Sequence, residues 1–193
     1  MVKEKDSLSV PVEIYVKAGV HLGTRAIMPG MREYVYKRKG DGIAVLNTKK
    51  IDERIKAAAL FLSKFDGKDI MACCRKEVGY KAIEAFGKAT NARVFKKYPA
   101  GLITNPSLND FFEPKVLLVV DPWYDGNAIK DAVKIRIPTI ALCDTNNTTE
   151  YIDLIVPCNN KTSKSIGTVL YLIAKQYLEA KGEKIKLKES DFY

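Results

Sequence analysis

Asp121 and Asp144 each close an apolar run of the length of a buried strand, Val116–Val120 and Ile140–Cys143. Hard carboxylate oxygens at the ends of neighbouring strands are what a Mg²⁺-dependent enzyme acting on a phosphosugar or nucleotide would use. The same two residues are also good turn formers, Asp121 before Pro122 and Asp144 before Thr145-Asn146. The usual phosphate cradles are missing: the chain has neither a P-loop nor a Gly-x-Gly-x-x-Gly. It has no Gly-x-Ser-x-Gly nucleophile elbow either. His21 is the one histidine and lies between Gly19 and Gly23. A catalytic imidazole needs a nucleophile and an orienting group beside it. With neither legible, His21 reads as a structural hydrogen-bonder or an RNA contact. Cys73, Cys74, Cys143 and Cys158 show no metal-type spacing and no Cys-x-x-Cys. They read as small buried thiols in a reducing compartment.

Cations carry the stronger pattern. Lys and Arg number 32 against 23 Asp and Glu, for a net charge of +9. That balance suits a phosphate-rich partner, or simply a basic solvated surface. Three basic pairs each follow a strand-like run: Lys49-Lys50 after Ile43–Leu46, Arg75-Lys76 after Ile70–Cys74, and Lys96-Lys97 after Ala92–Phe95. If the strands are parallel, the pairs share one rim and concentrate polyanions there. Upstream, Arg25, Arg32, Lys37, Arg38 and Lys39 interleave with Tyr34 and Tyr36. Single-stranded bases stack on such rings while cations take the phosphates. A solvated hairpin with one buried ring explains the same residues equally well. Asn159-Asn160-Lys161 precedes the longest helical pattern and offers amides, N–H groups and a cation to a phosphate. Ordinary N-capping would account for the asparagines but has no need of Lys161.

The elements that must position these residues alternate. Pro11 suits the start of a short helix and Gly19 its exit. The turn Lys39–Gly42 makes a hairpin with Ile43–Leu46 plausible, and Ile43–Leu46 also reads as the first core strand. Thr48 can cap a helix whose apolar face is Ile51, Ile55, Ala58, Leu62 and Phe65. Strands follow at 70–74, 92–95, 116–120 and 140–143, with a shorter apolar run at 154–156. Val78, Ala82, Phe86 and Ala89 mark one intervening helix; Ala128, Ile129, Ala132 and Val133 mark another. Ile166, Val169, Leu170, Ile173 and Tyr177 line the last helix, which ends near Gly182. The irregular stretch 96–107 is of a length that is often functional. Alternating strands and helices argue a parallel sheet covered on both faces. The 193 residues suffice for one domain with a sizeable core, residues 1–9 and 183–193 being charged tails. The N-terminus lacks the apolar segment of a signal peptide, and no run is long enough to span a bilayer, so the expectation is a soluble cytosolic protein.

Several pieces now occur in a fixed order: Ala18–Thr24, Thr104–Pro106, Glu113-Pro114, Asp121-Pro122, Ile137-Pro138, Ala141–Asn146 and Asp153–Lys161. Together, from about Val10 to Lys181, they resemble small-subunit ribosomal protein S-two, in the branch shared by archaea and eukaryotes and of archaeal type. The resemblance implies a flavodoxin-like three-layer α/β/α fold with a five- to six-stranded, mainly parallel sheet, plus an N-terminal helix and hairpin. It implies a cytoplasmic ribosomal scaffold bound to small-subunit ribosomal RNA at the head/body junction, beside neighbouring ribosomal proteins. It implies no catalysis, cofactor, metal, membrane or small-molecule substrate. The RNA-binding set expected from the basic pairs, the hairpin, the His21 loop and the Asn-Asn-Lys loop is His21, Arg25, Arg32, Lys37, Arg38, Lys39, Lys49, Lys50, Arg75, Lys76, Lys96, Lys97, Asn160 and Lys161. The helical hairpin inserted in bacterial members has no room here, since Phe65–Asp69 runs straight from helix to strand. Trp123 stands where the family often has a basic residue after Asp-Pro.

Overall fold

The computed structural model describes residues 8–183 and 187–193. Five strands form one sheet in the order β4-β3-β5-β6-β7, every neighbouring pair parallel. They are β3 (Ile70–Cys73), β4 (Arg93–Phe95), β5 (Val116–Val119), β6 (Thr139–Cys143) and β7 (Leu154–Pro157). Every residue of β3, β5 and β6 is buried, as unbroken apolar runs require of strands covered on both faces. β7 is an edge strand, which is why it can end on Pro157 without losing a ladder bond.

Connection handedness sets the layers. The chain steps from β3 toward one edge to reach β4, and from β5 toward the other edge to reach β6. Right-handed crossovers therefore place α3 (Tyr80–Thr90) and α4 (Gly126–Ile135) on opposite faces. α5 (Ser163–Lys181) packs between α3 and α2 (Thr48–Leu62), completing α3's layer. On the other face α4 is joined by the stretch 98–104, whose Leu102 and Ile103 are buried. Asp131 of α4 fastens it, accepting from Gly101 N–H at 2.8 Å and from the Tyr98 hydroxyl at 3.0 Å. Burial opposes ionisation of Asp131, but the bonds from Lys134, Gly101 and Tyr98 outweigh it and hold its pKa below the ordinary value.

Outside the sheet, α1 (Val12–Lys17) packs on α2 through Tyr15, whose hydroxyl donates to Asp52 at 2.8 Å. Asp52 also accepts from Ser9 N–H and pairs with Lys56. A two-stranded antiparallel ribbon joins β1 (Val35–Arg38) to β2 (Ala44–Leu46). This corrects one expectation: 43–46 is not the first strand of the parallel sheet. It is buried because the loop 21–24 lies along its other side, with Leu46 N–H donating to His21 O and Gly23 N–H to Ala44 O. Helix starts also differ in detail. Asn47, not Thr48, caps α2 by accepting from Lys49 N–H, and Val78 lies in a 3₁₀ turn ahead of α3 and is exposed. α5 ends where Gly182 adopts φ +71°, a left-handed conformation glycine takes without strain.

Residues 187–193 fold back onto α3 and α5. Phe192 is buried against Tyr171, and Thr168 donates to Glu189 at 3.0 Å, so this part of the charged tail packs on the protein's own helices. Residues 1–7 and 184–186, expected to be tail, lie outside the described residues. The four cysteines are buried and unpaired, as their spacing suggested.

Candidate nucleic-acid interface

Parallel strands put all their carboxyl ends on one rim, where α2, α3, α4 and α5 begin. Helix N-termini carry partial positive charge, so the rim is electropositive before side chains are counted. Along it come Lys96-Lys97 after β4, Arg75-Lys76 after β3, Asp121–Trp123 after β5, Asp144–Asn147 after β6 and Asn159–Lys161 after β7.

A buried polar network ties these loops together. Asp121 accepts from Lys76 Nζ at 2.8 Å, from Asn147 Nδ2 at 3.0 Å and from Trp123 N–H at 3.0 Å. Asn147 Oδ1 in turn accepts from Asp144 N–H at 2.8 Å and from Asn160 Nδ2 at 2.9 Å. Asn160 Nδ2 also reaches Leu142 O, while Lys76 Nζ donates to Asn160 O at 2.8 Å. Four strand ends, those of β3, β5, β6 and β7, are thereby locked at fixed spacing. Asp121 has spent its oxygens on donors, so it does not present the open carboxylate that paired Mg²⁺ ligands would need. Asp144 is fully buried; burial raises its pKa, opposed by Thr145 N–H and by Lys161 at 3.7 Å.

The ribbon and its basic residues dock on the same end. Asn159 N–H donates to Val20 O at 2.9 Å, Met28 N–H to Thr145 O at 2.8 Å, and Thr24 N–H to Thr145 Oγ1 at 2.8 Å. Gly23 permits this approach, since a Cβ there would stand 2.5 Å from Thr145 Cγ2. Through the loop 19–28 the strand β2 and the start of α2 join the rim, bringing Lys49 and Lys50 with them. Arg25, Arg32, Lys37, Arg38 and Lys39 are exposed on the ribbon and the segments leading into it.

A model of the family described as Ribosomal protein S2 matches residues 107–180. The small ribosomal subunit protein uS2 of Nanoarchaeum equitans is 40% identical over 95% of this chain and 94% of its own length. That of Ignicoccus hospitalis is 42% identical over 91% of this chain and 84% of its own. The protein of the same name from Staphylothermus marinus is 42% identical over 91% and 80%. The chain belongs to the ribosomal protein S2 family. It is a family of ribosomal proteins, not of enzymes, and the sheet, the N-terminal helix and the ribbon match the fold expected of it.

In this S2 chain the fourteen residues suggested by sequence differ in how far they are engaged within the protein. Arg25, Arg32, Lys37, Lys39, Arg75 and Lys97 are exposed and make no ion pair with a carboxylate among the described residues. Arg38 is exposed and donates to Arg25 O at 3.2 Å. Lys76, Lys96, Lys161 and Lys50 are engaged within the protein. Lys76 pairs with Asp121, Lys96 with Glu84, Lys161 with Asp144, and Lys50 donates to Glu33 O. Lys49 is exposed at the start of α2. His21 is half-buried, its Nδ1 3.5 Å from Tyr15 O. Asn160 is the misfit: it is buried, and its amide holds Leu142 and Asn147, so it shapes the rim from inside rather than facing a ligand.

Sequence reading did not single out Asp125 or Asn147. Nothing in local spacing marks either, because their partners lie on other strands. Asp125 is buried, and both its oxygens approach Arg75 N–H, at 3.2 and 3.4 Å. Burial lifts its pKa to about 7, with Arg75 N–H opposing and Asp121 adding to the rise. The unfolded chain ionises Asp near its ordinary value, so between there and about 7 the folded state binds the extra proton. This group's contribution therefore falls as pH rises through that window and levels off above it. Asp125→Asn keeps an acceptor for Arg75 N–H, and no capping bond is lost, since the Asp125 side chain makes none to α4. It is expected to be about 1–2 kcal/mol more stable than the parent at pH 8, allowing for the helix dipole, and no different at pH 4. Urea denaturation at the two pH values checks this; an equal difference at both would refute it.

Proposed function

We propose that this chain is a non-enzymatic structural component of the small ribosomal subunit in the cytoplasm, held to its ribosomal RNA and touching neighbouring ribosomal proteins. The placement at the junction of head and body belongs to the same reading and rests on the family alone. The observation that carries the RNA contact is the sharing of one end of the sheet by the rim cations, the helix N-termini and the docked basic ribbon. Such a surface fixes a polyanion by its phosphates and orients it without chemistry. Folded RNA is then recognised mainly through shape, since its deep groove hides base edges.

Filter binding to small-subunit RNA across a salt series tests this. The logarithm of the binding constant should fall with the logarithm of salt by about 0.7–0.9 per phosphate neutralised; a flat response would remove the proposal. Within the long loop the two lysines differ. Lys96 is already paired with Glu84 and lies 5.2 Å from the centre of the Tyr80 ring, whereas Lys97 has no carboxylate partner among the described residues. Lys97→Ala should lower the salt slope by about one contact, and Lys96→Ala by less. Equal slopes for both variants and the parent would take this loop out of the footprint.

A further inference from the structure

Tryptophan occurs once in this chain, and the Trp123 side chain is 75% exposed. Large aromatic rings are ordinarily buried, so one held out in water at a fixed place calls for a partner. Its place is fixed. Trp123 N–H donates to Asp121, Pro122 before it is buried, and Asp121 is gripped by Lys76 and Asn147. The backbone under the ring is thus part of the locked rim while the ring itself is free. Tyr124 beside it is half-exposed, with the Lys76 ammonium 5.4 Å from its ring centre.

Charge around the ring selects among partners. β5 is the middle strand, so Trp123 stands at the centre of the rim. Arg75 and Lys76 follow β3, one strand spacing away on one side, about 4.8 Å. Lys161 follows β7, two spacings away on the other side. An apolar socket on another protein would suit the indole but not its flanking cations. An unpaired nucleotide suits both, because its base offers a π face and its phosphates offer charge.

We infer that Trp123 is a stacking platform for an unpaired base of an RNA strand crossing the rim, with the exposed Arg75 facing an adjoining phosphate. This rests on the RNA-bound reading above and narrows it from a purely electrostatic contact to a base contact. Every base has a π face, so the platform tolerates sequence.

Because Trp123 is the sole tryptophan, its emission reports the contact directly. Full-length protein is titrated with a short oligoadenylate, a blunt RNA duplex and inorganic polyphosphate of matched charge. The oligoadenylate should quench the emission, while duplex and polyphosphate bind without quenching. Trp123→Ala should bind oligoadenylate roughly tenfold more weakly and Trp123→Phe to within about threefold of the parent, with duplex and polyphosphate affinities unchanged in both. The exposed ring takes no part in the core, so circular dichroism of both variants should match the parent. Oligoadenylate binding with unaltered emission and equal affinity in Trp123→Ala overturns the inference, as does equal quenching by polyphosphate. An emission change seen only on adding RNA-free small-subunit proteins gives the ring to a protein neighbour and overturns it too. Salt-dependent binding with a silent tryptophan removes the stacking alone; absence of binding to any nucleic acid removes the RNA-bound reading with it.

Discussion

Asp121→Ala is expected to destabilise the protein by about 3–5 kcal/mol, the cost of leaving a buried charge without its partner. Asp121 receives Lys76, Asn147 and the Trp123 N–H at once. Its removal strands the Lys76 ammonium, whose side chain is 17% exposed, against a single carbonyl. It also leaves the Asn147 amide unsatisfied between β6 and β7. The loss should exceed anything seen for an exposed lysine of the ribbon. The double variant Asp121→Ala/Lys76→Met separates the causes. If the stranded charge dominates, the double variant recovers much of the loss, so the two changes are strongly non-additive. Chemical denaturation of the four proteins in the cycle measures it; strict additivity, or a loss below about 1 kcal/mol, would mean that the network holds the rim loosely.

That network is also where sequence reading stopped. The apolar runs and helical periodicities gave the parallel sheet, because burial on both faces leaves no polar alternation in β3, β5 and β6. They also led to 43–46 being placed as a sheet strand, since a short apolar run looks the same whether its neighbours are strands or a loop and a ribbon. The basic pairs were legible as pairs, and topology alone carried them to one rim. Which of them remain available was not legible. Lys76, Lys96 and Lys161 find carboxylates on other elements, at sequence separations that no local pattern encodes. Asn160 shows the same limit from the other side. Its neighbours Asn159 and Lys161 suggested a surface loop, yet its amide turns inward to Leu142 and Asn147. The fold-back of Phe192 was hidden by the charged residues around it, Glu189 and Asp191, which suggested solvent.

The ribbon offers the sharpest separation between a shaped RNA surface and a merely basic protein. Arg25, Lys37 and Lys39 are exposed and have no carboxylate partner among the described residues, so reversing all three to Glu should change stability by about 0.5 kcal/mol or less per site. Affinity for small-subunit RNA should fall at least about a hundredfold near 0.1 M salt, and the salt slope by about 2–3, since three phosphate contacts become repulsive. The matched control reverses Lys64, Lys68 and Arg136, exposed cations at the opposite, amino-terminal end of the sheet. Both variants carry the same net charge. Over distances longer than the Debye length, about 10 Å at 0.1 M salt, charge at the far end is screened from the rim. The control should therefore keep most of the parent's affinity and its slope. If both variants lose affinity equally, what matters is the overall charge of +9 and not the end of the sheet at which the ribbon docks. The rim would then be an ordinary solvated edge, and the RNA contact would have to lie elsewhere on the molecule.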